Sequence, residues 1–163
     1  MHSRMFQIED HPVLEDERMN SADFEEHWFT REIADYVTDV PYRDDDVYYF
    51  IDGVLLPLGE YVDLFRENGQ PVFILHKGFR ERYFAKTYER FCVALDKLSS
   101  EITLDSFASN QIHSDLYTLR TLYDDRHGIW LYYDHEIFTL DQWMRSAVEG
   151  EKYYFGGVLD YHF

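Results

Sequence analysis

Two groups of side chains in this 163-residue chain are of the types that do chemistry. His127 stands upstream of Asp134-His135-Glu136, and Asp160 is followed two residues on by His162. Imidazoles and carboxylates ligate zinc in sets of three or four with tetrahedral geometry, and they are the usual general acids and bases. If the strands that carry them pair, these six residues line one pocket. Their spacing matches no metal-binding helix of the His-Glu-x-x-His kind, so the sequence implies no specific metal site. Asp44-Asp45-Asp46 offers the hard oxygens that calcium takes, but it lacks the alternating ligands and the glycine of an EF-hand loop. A solvated loop is the expectation there. Glu25, Glu26 and His27 are consecutive on a predicted helix, where neighbours do not face one another. Cys92 lies in the apolar run Phe91-Cys92-Val93-Ala94-Leu95, which reads as a buried, inert thiol. There is no Gly-x-Ser-x-Gly and no glycine-rich phosphate loop, and no motif implies a cofactor.

Tyrosines supply a different kind of signal. Tyr48-Tyr49, Tyr132-Tyr133 and Tyr153-Tyr154 form three consecutive pairs, each in a predicted strand. Strand neighbours point to opposite faces, so each pair sends one ring outward. Shared in one sheet, they would make an exposed row suited to a protein interface. Asp44, Asp45, Asp46, Tyr48, Tyr132 and Tyr153 are therefore the expected interaction surface.

The elements that must position these residues follow from periodicity and breakers. Strands are expected at 4–8, 72–75 and 129–133, and helices at 79–98, 111–124 and 140–148, the last opened by the capping box Thr139-Leu140-Asp141-Gln142. Ser21 caps a helix expected to reach Val37. Val47–Ile51 and Val54–Leu56 flank Asp52-Gly53 and read as a hairpin. Residues 60–67 read as a short helix stopped by Asn68-Gly69, and Tyr153–Tyr161 as a second hairpin turning at Gly156-Gly157. Without regular strand–helix alternation, this order predicts an α+β fold. It would have a mainly antiparallel sheet, about four to five helices packed on it, and a single domain (1–163) with a weak sub-boundary near 99–101.

Composition bounds the function. The chain holds 32 Asp and Glu against 15 Lys and Arg, a net charge of -17. Residues 1–70 carry -13, residues 77–98 carry +3 and residues 101–163 carry -7. Such a surface repels phosphate backbones and anionic membranes and attracts basic partners. No apolar run approaches membrane-spanning length, and a lone cysteine makes a reducing cytoplasm the expected compartment. The basic segment 79–98 is expected to lie on acidic elements of its own fold or to form a homodimer. The reading that results is an acidic interaction protein for a basic partner, in one of three forms: inhibitor, immunity-type protein or polyanion mimic. The alternative is a small enzyme or ligand-binding domain built on the His/carboxylate pocket.

Overall fold

The computed structural model describes all 163 residues. Its strands are β1 (His2–Glu9), β2 (Tyr36–Asp39), β3 (Val62–Glu67), β4 (Gln70–Leu75), β5 (Trp130–Tyr133), β6 (Glu136–Thr139) and β7 (Lys152–His162). Its helices are α1 (Trp28–Glu32), α2 (Arg43–Phe50), α3 (Phe79–Glu101), α4 (Leu104–Ala108), α5 (His113–Tyr123) and α6 (Leu140–Ser146). The seven strands form one sheet in the order β3-β4-β7-β1-β5-β6, with β2 beside the second half of β7. Only β1 and β5 run parallel. The α+β architecture expected from the sequence is the one observed, as a single compact unit.

β7 is the axis of the sheet. Tyr153 through Leu159 are all buried, as a strand covered on both faces requires. On one face Phe6, Phe73, Leu131, Tyr153 and Phe155 meet α2, the foot of α3 and α6 in a 17-residue core. Trp143 drives into this core, its ring 5.0 Å from Tyr153 and 6.1 Å from Phe73. The capping box at Thr139 holds as expected: Thr139 Oγ1 accepts from Gln142 N and so aims the helix that carries Trp143. On the other face Met5, Trp130, Leu159 and Tyr161 are covered by Met19, Phe24, Phe29 and Ala34. That cover is built from short turns: 3-10 helices at Glu15–Glu17 and Ser21–Phe24, then α1.

Several expected elements differ, each for a physical reason. The single helix from Ser21 does not form. His27 breaks it by capping α1 with its own ring, and Tyr36–Asp39 pairs with β7 instead. The Asp52-Gly53 hairpin is absent. Val47 and Phe50 bury their side chains from α2, which runs on through a π-helical turn at Ile51–Leu55 and a 3-10 segment at Leu56–Tyr61. A short apolar run does not distinguish a buried helix from a buried strand. Residues 62–67 form β3, and Asn68-Gly69 (φ 51° and 84°) is the two-residue turn of the β3–β4 hairpin. Gly156-Gly157 is no turn: β7 continues through it, with a β-bulge opposite Gln7 of β1. A side chain at 157 would stand 2.6 Å from the Met19 carbonyl oxygen, so glycine is there for close approach.

α3 continues through Ser99-Ser100 to Glu101 and spans about 35 Å. It lies along α5, and only Phe79 and Leu98 are buried on it. Tyr88 and Leu95 are exposed, as are Val93, Leu104 and Phe107. No helix is long and apolar enough to cross a membrane.

At the outer edge, Glu67 on β3 accepts from Tyr154 Oη at 2.5 Å and from Lys152 Nζ at 3.1 Å. The tyrosine bond first and the lysine second hold its carboxyl below the ordinary value of 4.5. A depressed folded value means the contribution to stability is complete above 4.5 and is lost as pH falls through the lower folded value. Carboxyl NMR titration should place the Glu67 midpoint below 4.5. Tyr154→Phe should move it up; an unmoved midpoint contradicts the bond.

Candidate functional site

The six pocket residues do not share a pocket. Asp134 and His135 (φ 48° and 63°) are the two turn residues of the β5–β6 hairpin, and Glu136 pairs across it with Tyr133. His127 precedes β5 at its opposite end, stacked on Phe163 at 4.7 Å. Asp160 and His162 reach the same end as His127, but they are tied up structurally. Asp160 accepts from Arg4 Nη1 at 2.6 Å and lies 3.1 Å from His2 Nδ1. His162 lies 3.0 Å from Asp35 and stacks flat on Tyr36. No three His, Cys, Asp or Glu side chains converge at metal-ligand spacing.

The tyrosine row is also dispersed. Tyr48 and Tyr49 are exposed, but on α2, not in the sheet. Tyr153 is buried, its hydroxyl accepting from Val148 N at 2.8 Å, and burial pushes its pKa up to about 12. Tyr132 is half-buried, with its hydroxyl 3.1 Å from His135 Nδ1. Asp44, Asp45 and Asp46 form the first turn of α2, where carboxylates suit the helix dipole. Asp46 and Asp44 are further held by Arg4 at 2.7 Å and Arg43 at 2.5 Å.

What the fold does gather is uncompensated negative charge. Residues 10–39 run over the second sheet face and on into strand β2, and hold ten carboxylates: Asp10, Glu15, Asp16, Glu17, Asp23, Glu25, Glu26, Glu32, Asp35 and Asp39. All ten are exposed, against Arg18 and Arg31 alone. None pairs with lysine or arginine; Asp10 and Asp35 pair with histidines. Every ion pair to a lysine or arginine in the molecule takes its carboxylate from outside this stretch. The basic charge of α3, by contrast, is partly used within the fold. Arg80 donates to the carbonyls of Arg145 and Ala147 and pairs with Glu149, Arg82 donates to Pro57 O, and Lys97 pairs with Asp115.

The acidic layer is anchored to the sheet at its centre. The side chain of Gln7, buried on β1, accepts from Met19 N and from Gly157 N, both at 2.9 Å. Its amide donates to Glu17 O at 3.2 Å. Phe24 and Phe29 plug the layer into the core below, and Thr30 Oγ1 closes it on Phe24 O at 2.7 Å. Local turns and the sheet thus fix the backbone that carries the carboxylates.

Trp28 stands in the middle of this charge, in sequence between Glu25-Glu26 and Glu32. Its ring rests edge-on against Phe29 and Trp130 and is 40% exposed, whereas Trp130 and Trp143 are 2% and 1% exposed. Quenching of tryptophan emission therefore reports the potential at one place. At low ionic strength caesium should quench severalfold more than iodide, each relative to free tryptophan, and Trp28→Phe should abolish the difference. Equal quenching by the two ions contradicts a negative potential there.

The acidic character of residues 1–70 was visible in the sequence. The gathering of ten of those carboxylates in residues 10–39 without a lysine or arginine partner, and Trp28 as the exposed ring among them, were not. The nearest signal was the density of acids between Asp10 and Asp39 with only two arginines. Comparisons with protein-family models, curated proteins and solved structures found no match to this chain.

Proposed function

We propose that this protein is an interaction module of the cytoplasm that binds a basic protein across the layer formed by residues 10–39, with Trp28 as its anchor. The observation that carries this reading is the set of ten exposed carboxylates without a lysine or arginine partner, all within residues 10–39. Carboxylates held in a fixed array speed encounter with a cationic surface and set its register. An exposed tryptophan in their midst supplies apolar area, and its ring face accepts a cation. The tryptophan favours an inhibitor or immunity-type role over a polyanion mimic, because a mimic of a phosphate backbone needs charge alone. The test is a titration of Trp28 emission with nona-arginine at roughly 0.02 M and 0.5 M salt. Saturable binding at low salt that weakens at high salt supports the reading, and no change in emission at low salt overturns it.

A further inference from the structure

Three arginines come together at one edge of this acidic molecule. Arg18 from the second sheet face, Arg43 from the start of α2 and Arg66 from the end of β3 line one cleft of about 480 Å³. A recess of about 430 Å³ adjoins it, sharing Arg18, Arg43 and Asp44 and adding Tyr42.

The three guanidiniums are not equivalent. Arg43 is fixed: Nε donates to Gly156 O at 2.6 Å, Nη2 to Phe155 O at 3.1 Å, and Nη1 pairs with Asp44. Burial, and after it the charge of Arg18, pull its pKa below the ordinary arginine value; Arg66 acts in the same direction and Asp44 against it. Arg66 is held only by its own turn, donating from Nη1 to Gly69 O at 2.7 Å. Arg18 joins none of the molecule's ion pairs, and its Nε is sealed from solvent without an acceptor. A guanidinium has five donors in a planar fork; the sealed Nε is out of a cleft ligand's reach, and the Nη donors, which make no hydrogen bond or ion pair within the fold, are the ones such a ligand can take. Like charges brought together in a cleft are relieved by an anion that all three can reach.

We infer that this cleft binds the phosphoryl group of a small aromatic phosphate monoester among Arg18, Arg43 and Arg66, with the aromatic ring against Tyr42. A phosphoryl group presents three acceptor oxygens and close to two negative charges, which suits three arginine forks. The combined space is that of a small-ligand pocket. Tyr42 is 72% exposed and offers a flat ring beside the arginines. Glu15, Asp44 and Asp45, which line the same two recesses, would repel a second phosphate, as would the acidic layer beyond Arg18. The site therefore selects one phosphoryl group over a polyanion chain.

The test is calorimetric titration of the whole protein at low salt with phenyl phosphate, inorganic phosphate and benzoate. Phenyl phosphate should bind best, about tenfold tighter than either of the others. Arg18→Ala and Arg66→Ala should each weaken phenyl phosphate about tenfold while circular dichroism shows the fold intact. Arg66 makes one side-chain hydrogen bond within the fold, to its own turn, and Arg18 makes none, unlike Arg43, which holds two β7 carbonyls. Tyr42→Ala should erase the preference over inorganic phosphate. Absence of binding at roughly 10 mM phenyl phosphate, or affinity unchanged in both arginine variants, overturns the site. Benzoate equal to phenyl phosphate overturns the phosphoryl assignment, and inorganic phosphate equal to it overturns the ester.

Discussion

Gly157→Ala should destabilise the protein by about 2–3 kcal/mol, lowering Tm by about 5–10 °C. The new methyl would stand 2.6 Å from the Met19 carbonyl oxygen and 3.1 Å from the Met19 nitrogen. Backbone cannot rotate away as a side-chain tip can, so the layer must shift or β7 must bend. Either movement breaks the paired bonds from Met19 N and Gly157 N to Gln7, which hold the acidic layer on the sheet. Gly53→Ala is the control. Nothing lies within 4 Å of a side chain there and φ is not positive, so alanine should be neutral or stabilising by about 0.5–1 kcal/mol. Thermal or urea unfolding of the two variants decides. A Gly157→Ala loss no larger than that of Gly53→Ala would mean that the chain turns at Gly156-Gly157 and that β7 is not continuous.

The combined variant Glu25→Lys, Glu26→Lys and Glu32→Lys should weaken nona-arginine binding about 100-fold or more at low salt. The three side chains are exposed, flank Trp28 in sequence and lack a basic partner, so reversal removes attraction and adds repulsion with little cost to the fold. The residual affinity should also depend less steeply on salt, since fewer charge contacts remain to be screened. Reversal of Asp96 and Glu101 on the last turns of α3 and of Asp105 on α4 changes net charge by the same amount but leaves this layer intact. That control should lose far less. Equal losses in both variants would show that total charge governs binding and that the layer has no special role.

How much of this could be read from the sequence depends on how far apart the deciding residues lie. β1, β4, β5, α3 and α6 were legible because each carries its own pattern: an apolar run, a repeating stripe or a capping box. Three glycine signals were open to misreading. Asn68-Gly69, Asp52-Gly53 and Gly156-Gly157 all resemble turns, yet only the first is one. The last is set by Met19, 138 residues away in the chain, which no local pattern reports. The Asp134-His135 turn was masked by the chemistry its side chains could do, although two apolar runs on either side of it are a hairpin pattern. The six pocket residues failed to converge because β5 separates its two ends, and the tyrosine row failed once Tyr48 and Tyr49 were placed on α2. Arg18, Arg43 and Arg66 come from three separate segments, so their cleft has no signature in the sequence. The acidic layer was legible as composition and became a surface only when residues 10–39 folded over one face.

The most direct test of that surface is a paired capture from the native host's lysate, using the protein and its Glu25→Lys, Glu26→Lys, Glu32→Lys variant side by side, each eluted by a salt step. One basic protein should be retained by the unaltered chain, released at moderate salt and missing from the variant. Retention of the same proteins by both, or of nothing above background by either, would contradict a partner-binding role for the layer.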